Sequence, residues 1–272
     1  MADEALLQGA IEVVRAAAVE VMTRYRSKQT VWDKAKGGRE SAEHAGNPLT
    51  EADLAADRVL REGLLDLLPG SGWLSEETAD DPARLTRELV WIVDPIDGTR
   101  EYVEGVDQFA ISVALCRGGD PILGVLLNPA TDQLVSAIAG QGVTLNGAPV
   151  QPAAARPLVG ATLLASRTES RRGEFEPFKN TMQVVDMGST AWKLGLVAAG
   201  QGHAYFTRKP RNEWDIAAGV MLCREAGVVV TNLDGERHVF NRPDPLLRGV
   251  VAAVPGVHDG VLAMIREVGT LL

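Results

Sequence analysis

Seven residues carry the densest chemical signal in the chain: Val93-Asp94-Pro95-Ile96-Asp97-Gly98-Thr99. An apolar run, Leu89-Val90-Trp91-Ile92-Val93, ends in two carboxylates three residues apart, and a Gly-Thr pair follows. Asp94 and Asp97 offer the hard oxygens that Mg²⁺ prefers. Pro95 restricts the backbone between them, so that the Ile96 carbonyl can turn toward the same ion. Gly98 lets a ligand approach the main chain closely. The N–H groups of Gly98 and Thr99, at the start of a predicted short helix, would donate to phosphate oxygens. The pattern reads as a metal and phosphate cradle, against the plainer alternative of a strand end with Asp caps and a glycine turn.

Two similar-looking motifs do not fit. An EF-hand loop needs a Glu at its twelfth position, and the twelfth residue from Asp94 is Gly105. Phosphatases of the haloacid dehalogenase type carry D-x-D-G-T, with one residue fewer between the carboxylates, which argues against a phospho-aspartate enzyme here.

The elements that must position this segment follow from periodicity. Leu6, Ala10, Val13, Val14, Ala17 and Val21 make a helical stripe over residues 3 to 26. Trp32 to Pro48 is charged and Gly-rich and is expected to be a mobile loop. Thr50-Glu51-Ala52-Asp53 reads as a capped helix start, running through Leu60 and Leu64 to Pro69-Gly70. Strands are expected at 89–93, 109–116, 121–127 and 134–139, forming an antiparallel meander, with Trp91, Phe109 and Val113 in the core. Beyond Gln151 to Pro157, short strands at 162–166, 183–185, 204–206, 228–231 and 249–253 interleave with helices at 190–199, 214–226 and 258–268. A boundary near 155 therefore separates an α+β half, residues 1–155, from an α/β half, residues 156–272.

Composition narrows the partners. The chain has 272 residues, with 27 Lys plus Arg against 36 Asp plus Glu, a formal charge of −9 and a pI near 5.0. Acidity without a basic run argues against nucleic-acid polymers and anionic membranes. Cys116 and Cys223 stand apart in apolar surroundings, so no disulfide framework is expected. No leader-like start or membrane-length apolar run is evident, and a reducing cytoplasm is the expected location. His44, His203, His238 and His258 match no motif and are expected to be structural or surface residues, and Trp192 and Trp214 are expected to pack against the core.

Taken with Leu49-Thr50-Glu51-Ala52-Asp53, Leu74-Ser75-Glu76-Glu77, Gly188-Ser189-Thr190-Ala191-Trp192-Lys193 and Trp214-Asp215-Ile216-Ala217-Ala218-Gly219, the central motif resembles a family. It is that of the lithium-sensitive, magnesium-dependent phosphatases, which includes inositol monophosphatases and 3'(2'),5'-bisphosphate nucleotidases of the CysQ type. The resemblance spans nearly the whole chain. It implies a layered α/β/α/β/α sandwich with metals at the junction of the two halves. It further implies that Glu76, Asp94 and the Ile96 carbonyl hold one Mg²⁺, that Asp94, Asp97 and Asp215 hold a second, and that a third, weaker ion is reached from Glu76 through water. Asp53 and Thr99 would orient the attacking water. Two cations about 4 Å apart then activate that water and neutralise the leaving oxygen, without a protein nucleophile. Asp53 and Asp215 also have plainer readings as helix-start residues, and Glu77 is expected to lie behind the metal site. Both homodimers and monomers occur among the relatives.

The second half is expected to choose the substrate. By resemblance, Gly188, Ser189 and Thr190 contact it near the phosphate or sugar. Lys193 resembles a lysine common in the nucleotidase branch, and Ser166-Arg167 part of that branch's S-R-S-H stretch, although Thr168-Glu169 replace Ser-His. Inositol phosphatases carry an acidic residue before Trp214-Asp215, whereas this chain has Thr207-Arg208-Lys209-Pro210-Arg211-Asn212. Arg208 and Arg211 suit a second phosphate. The expected substrate is 3'-phosphoadenosine 5'-phosphate, cleaved to AMP and phosphate, with inositol 1-phosphate or a sugar phosphate as the alternative. A protein that holds a phosphorylated ligand without turnover is the rival from another class.

Overall fold

The computed structural model describes residues 4–27, 30–33 and 48–269. The N-terminal stripe forms α1 (Glu4–Arg24), burying Ala10, Val14, Ala17 and Val21. A short ribbon of β1 (Val31–Asp33) and β2 (Pro48–Thr50), paired antiparallel, takes in both ends of the segment expected to be a loop. The pairing is between residues fifteen to nineteen apart, which local composition does not reveal. The rest of that expected loop, with His44, lies outside the described residues. Thr50 then caps α2 (Glu51–Leu67). Its Oγ1 accepts the Ala52 and Asp53 N–H groups, and Asp53 Oδ2 returns the bond to the Thr50 N–H at 2.7 Å.

A seven-stranded sheet follows: β3 (Gly72–Ser75), β4 (Leu89–Asp97), β5 (Ala110–Arg117), β6 (Asp120–Asn128), β7 (Gln133–Ile138), β8 (Val143–Leu145) and β9 (Ala148–Val150), adjacent in that order. From β4 onward it is the expected antiparallel meander; β3 alone runs parallel to its neighbour, β4. Its central strands read as unbroken apolar runs because both faces are covered. Trp91, Val93, Ile111, Val113, Val125 and Leu127 pack with α1 and α2. Their alternates Val90, Ile92, Ala114, Cys116 and Leu126 pack on the other side. The β4–β5 register shifts between Asp94 and Asp97, where Pro95 has no N–H to give the ladder. The short helix α3 (Thr99–Val103) follows at once.

The second half supplies β10 (Thr162–Ser166), α4 (Arg167–Arg171), β11 (Gln183–Met187), α5 (Thr190–Ala198), β12 (Ala204–Thr207), β13 (Arg211–Asn212), α6 (Glu213–Glu225), β14 (Val229–Thr231), β15 (Leu246–Leu247), β16 (Val250–Ala253) and α7 (His258–Gly269). A five-stranded sheet has the order β11-β10-β12-β16-β14, and β13 pairs with β15. Helices α5 and α6 lie between the two sheets, packing on β5 and β6 from one side and on β12, β14 and β16 from the other, while α7 covers β16. The layers are α/β/α/β/α. One continuous core therefore joins residues on both sides of position 155. His203, His238 and His258 serve this framework; His258, for example, bonds Thr231 Oγ1 at 3.0 Å. Among the described residues no helix is long and apolar enough to cross a membrane.

Close approach of α6 to the sheet depends on a missing side chain. A Cβ at Gly124 in β6 would stand 2.9 Å from the Ala218 carbonyl oxygen and 3.2 Å from the Met221 side chain. Backbone cannot step aside as a side chain can, so Gly124→Ala is expected to cost about 1–3 kcal/mol in urea unfolding. A loss below about 0.5 kcal/mol, the range of neutral surface changes, would show that α6 is not held by this contact.

Candidate active site

Parallel pairing of β3 and β4 brings their C-terminal ends side by side, and the chemistry collects there. The Glu76 N–H donates to the Val93 carbonyl at 3.3 Å, which sets Glu76 next to Asp94 across the sheet. Asp215 enters from the opposite layer on the first turn of α6, its Oδ2 accepting the Asn212 N–H at 3.0 Å in a capping box. Glu76, Asp94 and Asp215 each present a carboxylate oxygen within 4.8 Å of the other two. The capping role read as a plainer alternative for Asp215 thus coexists with membership of the cluster. Asp94 is fully buried, and its Oδ1 also accepts the Ile96 N–H at 3.0 Å.

Asp97, at the end of β4, sits beside the trio and is anchored elsewhere. Its Oδ2 accepts from Ser189 Oγ and from the Ala191 N–H (2.6 Å) at the start of α5. Ser189 holds a left-handed φ of 56° to make this contact. The cluster is electrostatically strained. Burial, followed by the negative charges of Asp97 and Glu76, holds the Asp215 carboxyl well above the usual carboxylate range. Burial likewise raises Asp97, opposed by its Ser189 bond and by Lys193. Carboxylates gathered this way favour a proton or a cation between them.

Asp53 lies at the adjoining wall. Its Oδ2 belongs to the capping box of α2, taking both the Thr50 N–H and the Thr50 hydroxyl (2.6 Å), while its Oδ1 faces Thr99 Oγ1 at 3.3 Å. The Thr99 hydroxyl also lies 3.0 Å from the Ile96 carbonyl oxygen. One hydroxyl proton faces two acceptors, so it is given to one of them at a time.

Glu76, Asp94, Ile96, Asp97 and Asp215 line a cleft of about 270 Å³ whose walls also include Gly98, Thr99, Arg100, Thr168 and Asn212, with Asp53 buried behind Thr99. Gly98 takes φ 98°, and a Cβ there would press on the Gln108 carbonyl at 3.1 Å, so the turn into α3 requires glycine. Sequence reasoning missed Arg100, Glu101 and Asn212 as cleft residues and treated Thr168 only as a departure from a motif. Arg100 Nη1 donates to Thr168 Oγ1 at 3.1 Å, across the two halves of the chain. Arg100 follows the motif directly, and that adjacency was the available signal.

The residues that the resemblance put in contact with substrate have other partners. Arg167 pairs with Glu101 at 3.1 Å and Glu104 at 3.2 Å. Ser166 caps α4. The Gly188 N–H donates to Gln108 Oε1 at 2.9 Å, and Thr190 Oγ1 faces the Tyr205 hydroxyl at 3.3 Å. Lys193 is only 2% exposed. Its ammonium donates to the carbonyls of Met187, Gly188 and Ser189 and sits over the Tyr205 ring; burial lowers its pKa to about 8. Arg208 faces Glu174 at 3.6 Å, Lys209 faces Glu174 at 3.2 Å, and Arg211 faces the buried Glu169 at 3.7 Å. Neither glutamate lies in the basic segment, so the neutralisation is a tertiary effect that the sequence does not display.

Comparison with known proteins identifies relatives along nearly the whole chain. The profile of the inositol monophosphatase family matches residues 2–270. An inositol-1-monophosphatase of Rhizobium meliloti is 32% identical over 243 residues, covering 86% of this chain and 88% of the relative. A 3'(2'),5'-bisphosphate nucleotidase CysQ of Salmonella typhimurium is 34% identical over 215 residues, covering 76% and 85%. Among solved structures, the Thermotoga maritima IMPase superposes with a TM-score of 0.83 at 26% identity, covering 97% of this chain and 98% of that one. Matched from end to end by the family profile and carrying its metal-dependent phosphatase architecture, the chain belongs to the inositol monophosphatase family.

Proposed function

We propose that this phosphatase hydrolyses a small phosphate monoester of a polyol or sugar with bound Mg²⁺. The gathering of Glu76, Asp94 and Asp215 within 4.8 Å of one another beside the Asp53–Thr99 pair carries the reading. The donor set fits the ion: the clustered atoms are carboxylate oxygens, which suit Mg²⁺, and burial followed by the charges of Asp97 and Glu76 raises the Asp215 carboxyl. Glu76, Asp94 and the Ile96 carbonyl would hold one ion, and Asp94, Asp97 and Asp215 a second. When bound, the ions lower the pKa of water and neutralise charge on the phosphoryl and leaving oxygens.

The protein's own groups do the rest. When the Thr99 proton points to Asp53 Oδ1, the lone pairs of Thr99 Oγ1 are available to the water that attacks phosphorus. As that water adds, its proton passes to Thr99 Oγ1 while the Thr99 proton moves to Asp53 Oδ1. The P–O ester bond breaks, and the alkoxide takes a proton from solvent. Ser189 and the start of α5 hold Asp97, and Asn212 holds Asp215, so neither carboxylate needs to reorient during the reaction.

The pairing of Arg167, Arg208, Lys209 and Arg211 with Glu101, Glu104, Glu174 and Glu169 supports a monophosphate, because a second phosphate would have to displace these carboxylates. A specific observation favours the bisphosphate nucleotide as the second reading: Arg208, Lys209 and Arg211 are gathered just before Asn212 of the cleft, and the CysQ relative is 34% identical. A reducing compartment suits the chain, since Cys116 and Cys223 are buried free thiols.

Phosphate release from inositol 1-phosphate, a hexose phosphate and 3'-phosphoadenosine 5'-phosphate, with Mg²⁺ and with a chelator, tests the substrate. Turnover of the polyol or sugar monoesters at least as fast as the nucleotide, all lost on chelation, is expected; hydrolysis of the nucleotide alone would overturn the choice. Asp94→Asn is expected to lower kcat by at least about 10³-fold, roughly 4 kcal/mol in the barrier, and retained activity would rule out the shared-ligand arrangement. Thr99→Ala is expected to lower kcat by about 10²–10⁴-fold with Mg²⁺ affinity nearly unchanged, and an unaltered kcat would remove Thr99 from the proton path.

A further inference from the structure

Helix α2 presents a second buried carboxylate one turn beyond Asp53, and the reaction does not use it. Asp57 is 9% exposed. Its Oδ1 accepts the Ser75 hydroxyl at 2.5 Å and its Oδ2 accepts the Thr78 hydroxyl at 2.6 Å. Ser75 Oγ in turn accepts the Glu77 N–H at 3.4 Å. Both hydroxyls come from the segment that carries Glu76. Two carboxylates at i and i+4 on one helix face repel each other, so holding both buried requires donors, and each has its own set.

Strand alternation shows what this clamp does. In β3, Trp73 packs with the α1/α2 layer and Leu74 with the core on the opposite face. Ser75 again faces α2, where it meets Asp57. Continuing that alternation, Glu76 is directed to the opposite side, from which α6 brings Asp215. Beyond Ser75 the strand ends, with the Glu76 N–H still donating to the Val93 carbonyl. Asp57 adds a fixed point on each side of it, at Ser75 before and at Thr78 after.

We propose that Asp57 is a positioning residue that aims the Glu76 carboxylate at Asp94 and Asp215, so that one face of α2 sets both the metal ligand Glu76, through Asp57, and the water-orienting Thr99, through Asp53. This rests on the reading of Glu76 as a metal ligand, and the test separates the two. Partners of a metal ligand typically contribute 10–100-fold to metal affinity. Asp57→Ala, removing both acceptors, is expected to weaken binding by about tenfold or more. Asp57→Asn is expected to weaken it less, because its amide can accept from one hydroxyl and donate to the other.

Mn²⁺ binding to the full chain, followed by electron paramagnetic resonance, reads this without turnover. The variants are Asp57→Ala, Asp57→Asn, the pair Ser75→Ala with Thr78→Val, and Glu76→Gln. Weaker Mn²⁺ binding in Glu76→Gln, Asp57→Ala and the Ser75/Thr78 pair, in folded protein, supports the proposal. So does a rise in the Mg²⁺ concentration for half-maximal phosphate release that exceeds the fall in rate at saturating Mg²⁺. Glu76→Gln weakening binding while Asp57→Ala and the Ser75/Thr78 pair only lower the melting temperature would overturn it, leaving Asp57 a structural clamp. Unchanged binding in Glu76→Gln would instead overturn the metal reading on which it rests. If Asp57→Ala does not fold, the Ser75/Thr78 pair decides.

Discussion

Mutual repulsion among buried carboxylates is the constraint on which the rest of this structure depends. Asp94 has almost no exposure, Glu76 and Asp215 are half-buried, and their oxygens stand within 4.8 Å of one another, with Asp97 close enough to raise Asp215 further. Such a group is unfavourable without a proton or a cation among its members. The fold brings them together from three directions, β3, β4 and α6, and holds each by a separate backbone or side-chain anchor. Nine excess negative charges are mostly surface; these few are the ones whose position matters.

The anchors explain why the layers are built as they are. Asp94 and Glu76 meet because β3 is parallel to β4, the one parallel pair in a sheet that is otherwise an antiparallel meander. Asp215 meets them because α6 can sit close on β6, where Gly124 presents no side chain. Asp97 is held by the start of α5, whose preceding loop is in turn held by the buried ammonium of Lys193 at three carbonyls. The α2 layer supplies Asp53 and Asp57 from one face. The first three layers therefore contribute to the cleft through their packing, and a change in their spacing would be felt as a change in carboxylate geometry.

Much of this was legible in the amino-acid order, and what was not has a common cause. Helix α2 was readable from Thr50 and Asp53 because a capping box is local, and the meander from β4 to β7 because its strands are apolar runs divided by Gly-Gly-Asp and Asn-Pro turns. The segment from Asp94 to Thr99 stood out by residue type as a candidate cradle, and the folded chain brings Asp94, Asp97, Gly98 and Thr99 to one cleft. The ribbon of β1 and β2 was hidden because its pairing is long-range. The ion pairs of the basic stretch from Arg208 to Arg211 were hidden for the same reason: Glu169 and Glu174 approach it only in the folded chain. Lys193 carried a family-like signature, and only the folded chain shows its buried ammonium bonding the carbonyls of the loop under Asp97.

The central claim is that the carboxylate cluster is completed by divalent cations, and folding stability reports on this without reference to substrate. A ligand that binds only the folded state raises stability with its concentration, so the melting temperature of the chain should rise steadily as Mg²⁺ is added after chelation. Asp215→Asn, which removes one of the repelling charges, should melt higher than the parent in chelator and lose most of that Mg²⁺ response. A parent melting temperature indifferent to Mg²⁺ over the millimolar range, or an Asp215→Asn protein less stable than the parent in chelator, would contradict it.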